Sequence, residues 1–425
     1  FVTLTGNNTY TGTTTIGSSL ELGDGGTTGM VQSDVILTGG LLNFNRSDDI
    51  GFQGTISGQG TLVKRGAGVL TLDKANPYSG GASVIQGTLS MAVDGALGTS
   101  NVFVAGGAKL VADYTGDFSN RLRFDGGAFA AASGQTVRLT GPITALRFGD
   151  VRFGSETANG TVIFDPEEFS FGGFQIAIDG GTLQMGSLQA AAFLQNKRPL
   201  VELLIDAPGT LDMAGFDMAL QSVSGTGTIL NSGTASRLTL SGSTFAGTFD
   251  SGAGGLTLAG VITGGSGFTK RGSGVLTLAS DLDLTGFTGG FTVAQGTLSL
   301  QASLASTFGA IRTTGSVLDY ADGVNIAAPI IIDSDTTKLQ VLSGTATQSG
   351  VISELGGARG FEKIGAGTLT LAAANTYTGE TTVAEGTLVV ANNRALGSSD
   401  TGTIVRTGAT LALGSDQLSL SEAIT

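Results

Sequence analysis

The chain contains no histidine, no cysteine and no tryptophan among its 425 residues. Without Cys there is neither a disulfide framework nor a thiolate metal site. Without His and Cys, Ser-His-Asp and Cys-His nucleophilic mechanisms are excluded, as are zinc sites of the usual kinds. Proline is scarce at 6, which rules out a collagen-like or proline-rich chain. Charged residues make up only 13% and aromatics 6%. With 21 basic against 34 acidic residues the net charge is −13, so nucleic acid is not an expected partner: phosphate binding needs clustered cations. Long apolar runs are missing too. None approaches the ~18 residues of a membrane-spanning helix, and this segment is not expected to insert into a membrane.

What the chain does have is glycine, 71 residues of it, and an even scatter of Val, Leu, Ile, Ala and Phe. The hydrophobic share is 40% and the mean hydropathy +0.26, so there is surface to bury and the chain is not disordered. It also repeats itself. The phrase IGAGTLTLAAANTYTGETTVAEGTLVV, Ile364 to Val390, returns as RGAGVLTLDKANPYSGGASVIQGTLSM from Arg65 and as RGSGVLTLASDLDLTGFTGGFTVAQGTLSL from Arg271. The opening VTLTGNNTYTGTTTIGSSLELG enters the same phrase partway through. Repetition of this kind points to stacked units rather than one enzyme core.

Within the phrase, Leu alternates with Thr, Ser or Val in runs such as GTLTL and GTLVV, the period of short strands with one apolar face. Hairpin dipeptides such as Asp24-Gly25, Asp125-Gly126 and Asp179-Gly180 do not recur with the repeat. Single glycines do: Gly66, Gly68, Gly87, Gly272, Gly274, Gly296, Gly365, Gly367 and Gly386. Such residues suit corners that need positive φ or close backbone approach. The expected fold is all-β, a right-handed single-stranded parallel β-helix (β-solenoid). At ~20 residues per coil it would form roughly 20 coils, with aliphatic rows inside and Thr/Ser rows outside. We expect one continuous rod over 1–425, with repeat-rich coils over 1–110 and 259–425. The stretch 111–258, richer in Phe and charge, is expected to form irregular coils with candidate side loops.

The order G-x-G-x-L-T-L, N-T-Y-T-G-x-T-x-V, G-T-L, A-L-G resembles the passenger-associated repeat of bacterial autotransporters. Residues 365–397 carry it nearly throughout, and 66–98 carry it with Asn76-Pro77-Tyr78-Ser79-Gly80 in place of NTYTG. In 272–298 Phe287-Thr288-Gly289 replaces Tyr-Thr-Gly, and the opening copy covers Val2 to about Leu22. The resemblance implies a type V secreted chain that crosses the outer membrane unfolded through a C-terminal barrel and folds outside, coil by coil. A Cys-free chain suits such passage. No barrel strands are present, so an outer-membrane barrel is expected elsewhere in the full chain. Because the sequence starts at Phe1 without a signal segment, it is expected to be processed or part of something longer.

Carboxylates are the remaining route to chemistry. Asp165-Pro166-Glu167-Glu168 is the densest acidic spot, Asp48-Asp49 the next, and Asp281 with Asp283 would share a strand face. Paired carboxylates hydrolyse glycosidic bonds, and a Ca²⁺-dependent lyase would draft Arg147, Arg152 or Asp150. Their spacing demands neither, and turn-forming, solubilising roles account for them. Phe249-Asp250-Ser251-Gly252 has no base and reads as a corner. Leu22-Gly23-Asp24-Gly25-Gly26 is one partial match to a calcium-binding coil, with no series behind it. Tyr10, Tyr78 and Tyr377 recur at one repeat position with Phe287 in the third copy, so the ring reads as packing. Lys64-Arg65 and Lys270-Arg271, interrupted as Lys363-Ile364, read as solvated corners. The sequons at Asn7, Asn45 and Asn159 are short enough to arise by chance. No catalytic, cofactor or metal residues are therefore assigned. The expectation is a non-enzymatic extracellular β-helix that adheres to host or matrix surfaces or to other copies of itself. The rivals are a subunit polymerising head to tail through uncapped ends, and a polysaccharide lyase or hydrolase.

Overall fold

The computed structural model describes the chain except for residues 147–149, 173–174, 196–201 and 399–400. Short strands dominate, and each pairs in parallel with a strand one coil further along. Two compact units form, Phe1–Asp212 and Met213–Thr425.

In the first unit a nine-stranded sheet starts at Val2–Leu4, passes through Leu41–Asn45, Thr61–Arg65, Ala82–Val84 and Val102–Ala105, and ends at Phe169–Phe171. Its register stacks Leu42, Leu62, Ala82, Val102 and Leu122, one every 20 residues. In the second unit a ten-stranded sheet runs from Met218–Leu220 to Thr403–Val405, and a five-stranded sheet from Asn325–Ile326 to Thr410–Leu413. Parallel pairing at a spacing of one coil makes each unit a β-solenoid, as the glycine pattern leads one to expect.

Strand alternation decides which residues form the core. In Val69–Leu72, Leu70 and Leu72 are buried while Val69 and Thr71 are half-buried. Stacking turns this period into columns: Leu256, Leu276, Leu298, Leu318 and Leu339 follow one another inward, all at most 2% exposed. Burying each such side chain stabilises the fold by about 1.5–3 kcal/mol. Threonines form the outer counterpart. Thr136, Thr161, Thr182 and Thr210 stack in the first unit, and Thr345, Thr368, Thr387 and Thr410 in the second.

Glycine is obligatory at one corner of the repeat. Gly87, Gly296 and Gly386 have φ of 69°, 69° and 64°. A Cβ on Gly386 would lie 2.4 Å from the Gly365 carbonyl oxygen and 2.5 Å from that of Gly367, so successive corners touch through bare backbone. Within the stretch read as irregular, the pairing stays parallel but the coils lengthen. Ile143 pairs with Phe169 and Thr182 with Thr210, intervals of 26 and 28 residues against 20 nearby. The longer interval accommodates a helix, Leu188–Gln195. No helix among the described residues is long and apolar enough to cross a membrane.

Candidate functional site

Strand alternation places Lys64, Lys270 and Lys363 inward. Lys64 stacks between Phe44 and Val84, Lys270 between Phe249 and Val293, and Lys363 between Leu339 and Val383. Their exposures are 2%, 0% and 0%. The expectation of solvated corners is thus corrected for all three lysines, while the adjoining Arg65 and Arg271 do face solvent. Adjacent strand residues point to opposite faces, and the corner supplies what a buried cation requires.

Each ammonium has three protons and finds three carbonyl acceptors. Lys64 Nζ donates to the carbonyls of Arg65 (2.8 Å), Gly66 (2.8 Å) and Gln86 (3.2 Å). Lys270 Nζ donates to those of Arg271 (2.6 Å), Gly272 (2.8 Å) and Gln295 (3.1 Å). Lys363 Nζ donates to those of Ile364 (3.0 Å), Gly365 (2.7 Å) and Glu385 (3.1 Å). In every copy two acceptors belong to the lysine's own corner and the third to the following coil. Burial pushes each ammonium from its ordinary 10.5 down to about 8, and a carboxylate (Asp49, Asp250 or Glu385) pulls the other way. An amine so depressed can serve as a base in an open cleft. Enclosed by carbonyls, these three instead staple one coil to the next.

The repeat's asparagine is a second staple. Asn76 Oδ1 accepts from Ile56 N–H (2.7 Å), and its Nδ2 donates to the carbonyls of Lys74 and Ala96 (2.9 Å each). Asn375 repeats this with Ile352 N–H (2.8 Å) and the Ala395 carbonyl (2.5 Å). One amide therefore links the coils on both sides of its own, and its upper partner is the Ala of the repeat's A-L-G ending. Recurrence of Asn two residues before Tyr at positions 8, 76 and 375 is the signal that finds it.

The aromatic position behaves as packing where it is buried. Tyr377 meets Phe361 edge-on at 5.5 Å, and its hydroxyl bonds Thr381 Oγ1 at 2.6 Å. Phe287 stacks on Phe268 at 4.7 Å. Tyr78 is 1% exposed, yet its hydroxyl has no partner, because Ala82 stands where Tyr377 finds Thr381. Tyr10 differs: it bonds Thr14 Oγ1 at 2.8 Å but is 43% exposed.

Most of the acidic candidates are held in local interactions, while Glu167 is exposed. Asp165 pairs with Arg138 at 3.0 Å and Glu168 lies 3.8 Å from Arg121, both at exposed or half-buried positions. Arg152 pairs with Asp179 at 2.9 Å rather than with Asp150, and Arg147 lies outside the described residues. Asp48 pairs with the buried Arg46 at 2.7 Å, whose hydrogen bond holds the carboxyl below its usual range, and Asp49 accepts from Val69 N–H at 2.8 Å. Asp281 and Asp283 share an exposed face, but Asp281 pairs with Arg237 while Asp283 accepts from Thr285 N–H at 2.9 Å. Asp250 caps Gly252 N–H at 2.9 Å, the corner read from Phe249-Asp250-Ser251-Gly252. Asp24 caps Gly26 N–H, and Arg46 reaches the Thr27 and Gly29 carbonyls of the same loop. Among the described residues no group of three or more Asp or Glu side chains is arranged to hold a metal.

The family described as Passenger-associated-transport-repeat matches residues 2–18, 62–91, 268–300 and 361–390. The last three segments contain one lysine staple each, at 64, 270 and 363. The matched segments, stacked as coils of a β-solenoid, are transport repeats of the kind carried by autotransporter passengers, which are displayed on the bacterial surface or released from it. Over 58 residues it is 55% identical to Adhesin BmaC autotransporter of Brucella suis biovar 1 (strain 1330). That stretch is 13% of this chain and 2% of the relative, so the chain spans a small part of the protein it matches. No solved structure matches the chain.

Proposed function

We propose that this passenger segment is non-enzymatic and adhesive, contacting host or matrix surfaces, or other copies of itself, through its outer faces. One observation carries the reading: most of the acidic side chains with a claim to catalysis are engaged in ion pairs and backbone caps, Asp165 with Arg138, Glu168 with Arg121 and Asp48 with Arg46 among them. The relative's name, an adhesin, agrees with it. An outer-membrane translocator elsewhere in the full chain would carry the segment to the surface. Adhesion on such a scaffold is contact spread over many weak positions, so affinity comes from multiplicity rather than from one residue.

The test is to display the segment on a non-adherent bacterial host and count cells retained on epithelial monolayers and matrix-coated glass, with settling of a suspension reporting self-association. Retention or settling above the empty host supports the reading. Background retention and settling, together with release of reducing or unsaturated ends from polysaccharides, would replace it with an enzyme.

A further inference from the structure

Three copies of the repeat carry the lysine staple, and two of them follow it with an outward arginine, Arg65 and Arg271. The third follows Lys363 with Ile364. At that place the outer surface of the second unit sinks into a depression of about 310 Å³, with Ile364, Ala384 and the 62%-exposed Leu342 as its apolar part. Lys338, Glu362 and Arg406 form a polar wall, where the carboxylate of Glu362 lies 3.2 Å from Lys338 and 3.3 Å from Arg406. A second depression of about 240 Å³ adjoins the first, sharing Glu362 and Arg406 as the ridge between them.

We propose that this pair of depressions is a binding groove for a neutral oligosaccharide, opened by the loss of the repeat's arginine. Its size is at the lower end of the ~300–1,000 Å³ typical of ligand sites, room for a sugar residue with a neighbour across the ridge. The charge pattern selects against ions. In the first depression Lys338 and Arg406 are balanced by Glu362 and Glu385 together, with Glu385 Oε2 held by Gly365 N–H at 2.9 Å, and in the second Asp335 is paired with Arg359. What remains on offer is a mixture of donors and acceptors beside an aliphatic floor, which matches hydroxyls around a C–H ring face. With no aromatic platform exposed there, the expected affinity is weak, on the order of 1 mM per groove, and useful only when many copies engage together. The groove deepens the adhesive reading by naming a partner class for it, and rests on that reading only for its biological use.

The test is saturation-transfer NMR on the full 425-residue chain with cello-, malto-, chito- and galacto-tetraose, each at about 10 mM. The expected result is transfer from at least one, lost or weakened about tenfold by Ile364→Arg, which writes back the residue of the other two copies. Arg406→Ala should weaken it about fivefold, and Val389→Thr on another sheet should leave it intact. No transfer from any tetrasaccharide overturns the proposal, as does transfer indifferent to Ile364→Arg in a variant whose circular dichroism matches wild type. Binding confined to a tetra-uronate probe overturns the neutral assignment. Surface adhesion by displayed cells with no saccharide signal sinks the groove alone, and a saccharide signal without adhesion sinks the adhesive reading alone.

Discussion

Replacing Lys363 by Met keeps an unbranched side chain, one atom shorter, in the column between Leu339 and Val383 but removes its three donors. The Ile364 carbonyl still accepts from Val341 N–H at 3.1 Å. The Gly365 and Glu385 carbonyls receive their hydrogen bonds from the lysine at 2.7 and 3.1 Å, and in the variant would face a thioether. An unpaired buried carbonyl such as that of Gly365 costs about 1–3 kcal/mol, the carbonyl of the exposed Glu385 costs less, and relief of the ammonium's desolvation offsets part of the sum. A net loss of about 1–3 kcal/mol is expected. Urea unfolding followed by circular dichroism measures it, and hydrogen exchange of peptides within 361–390 should localise it to the corner and the coil beyond. The proton supplies a second test. Below pH 8 both folded and unfolded chains hold the ammonium, and between about 8 and 10.5 only the unfolded chain does. The unfolded state then binds more protons, so rising pH favours the fold. The stability advantage of wild type over Lys363→Met should therefore widen as pH climbs from 8 to 10. A variant as stable as wild type, with unchanged exchange, would show that the lysine is a tolerated burden rather than a staple.

Other positions in the repeat make sharper contrasts. Tyr377→Phe should cost about 1 kcal/mol because it breaks the bond to Thr381, whereas Tyr78→Phe should be neutral or stabilising because that hydroxyl has no partner. Ala82→Thr should supply the missing acceptor and raise the unfolding midpoint unless Tyr78→Phe is made first, a double-mutant cycle that reads the new bond directly. Gly386→Ala should cost about 2–4 kcal/mol, since its φ of 64° and a Cβ 2.4 Å from the Gly365 oxygen cannot both be relieved locally. Burial also raises the phenols of Tyr78 and Tyr377, so above pH 10 the unfolded chain loses its protons first and stability should fall, less so in Tyr78→Phe.

The coil was legible because its grammar is local. Leu at every second position writes a strand face, and glycine at Gly87, Gly296 and Gly386 marks corners that no Cβ could enter. The lysines escape a composition-based reading because charge and burial are opposed in it, although period-two alternation from Leu62 and Phe268 already puts Lys64 and Lys270 on the inward face. Only the three-dimensional corner shows three carbonyls converging on one Nζ. Interruption of the Lys-Arg pair at Ile364 looked like evidence for surface character, whereas it separates two roles: the lysine persists through all three copies, and only its outward neighbour varies. The longer coils between residues 143 and 210 were seen as a loss of pattern because added length dilutes a repeat without changing how its strands pair.

This separation gives a way to divide the chain between structure and use. A side chain that recurs at one coil position and bonds the neighbouring coil, as Lys363 bonds the Glu385 carbonyl and Asn375 the Ala395 carbonyl, is accounted for by stacking alone. A side chain that departs from its copies without repairing a stacking contact is not. Phe287 departs from Tyr but gains Phe268 at 4.7 Å and Phe308 at 5.5 Å, so its change is compensated within the core. Ile364 departs from Arg and gains nothing comparable inside, because its side chain lies on the outer face, where it uncovers apolar surface beside the Glu362 ion pairs. In a solenoid, where each coil answers mainly to its neighbours, an uncompensated outward change is free of the demands of folding. Such positions are where selection for a partner can act, and restoring the repeat's own residue there should abolish recognition while leaving the unfolding curve in place.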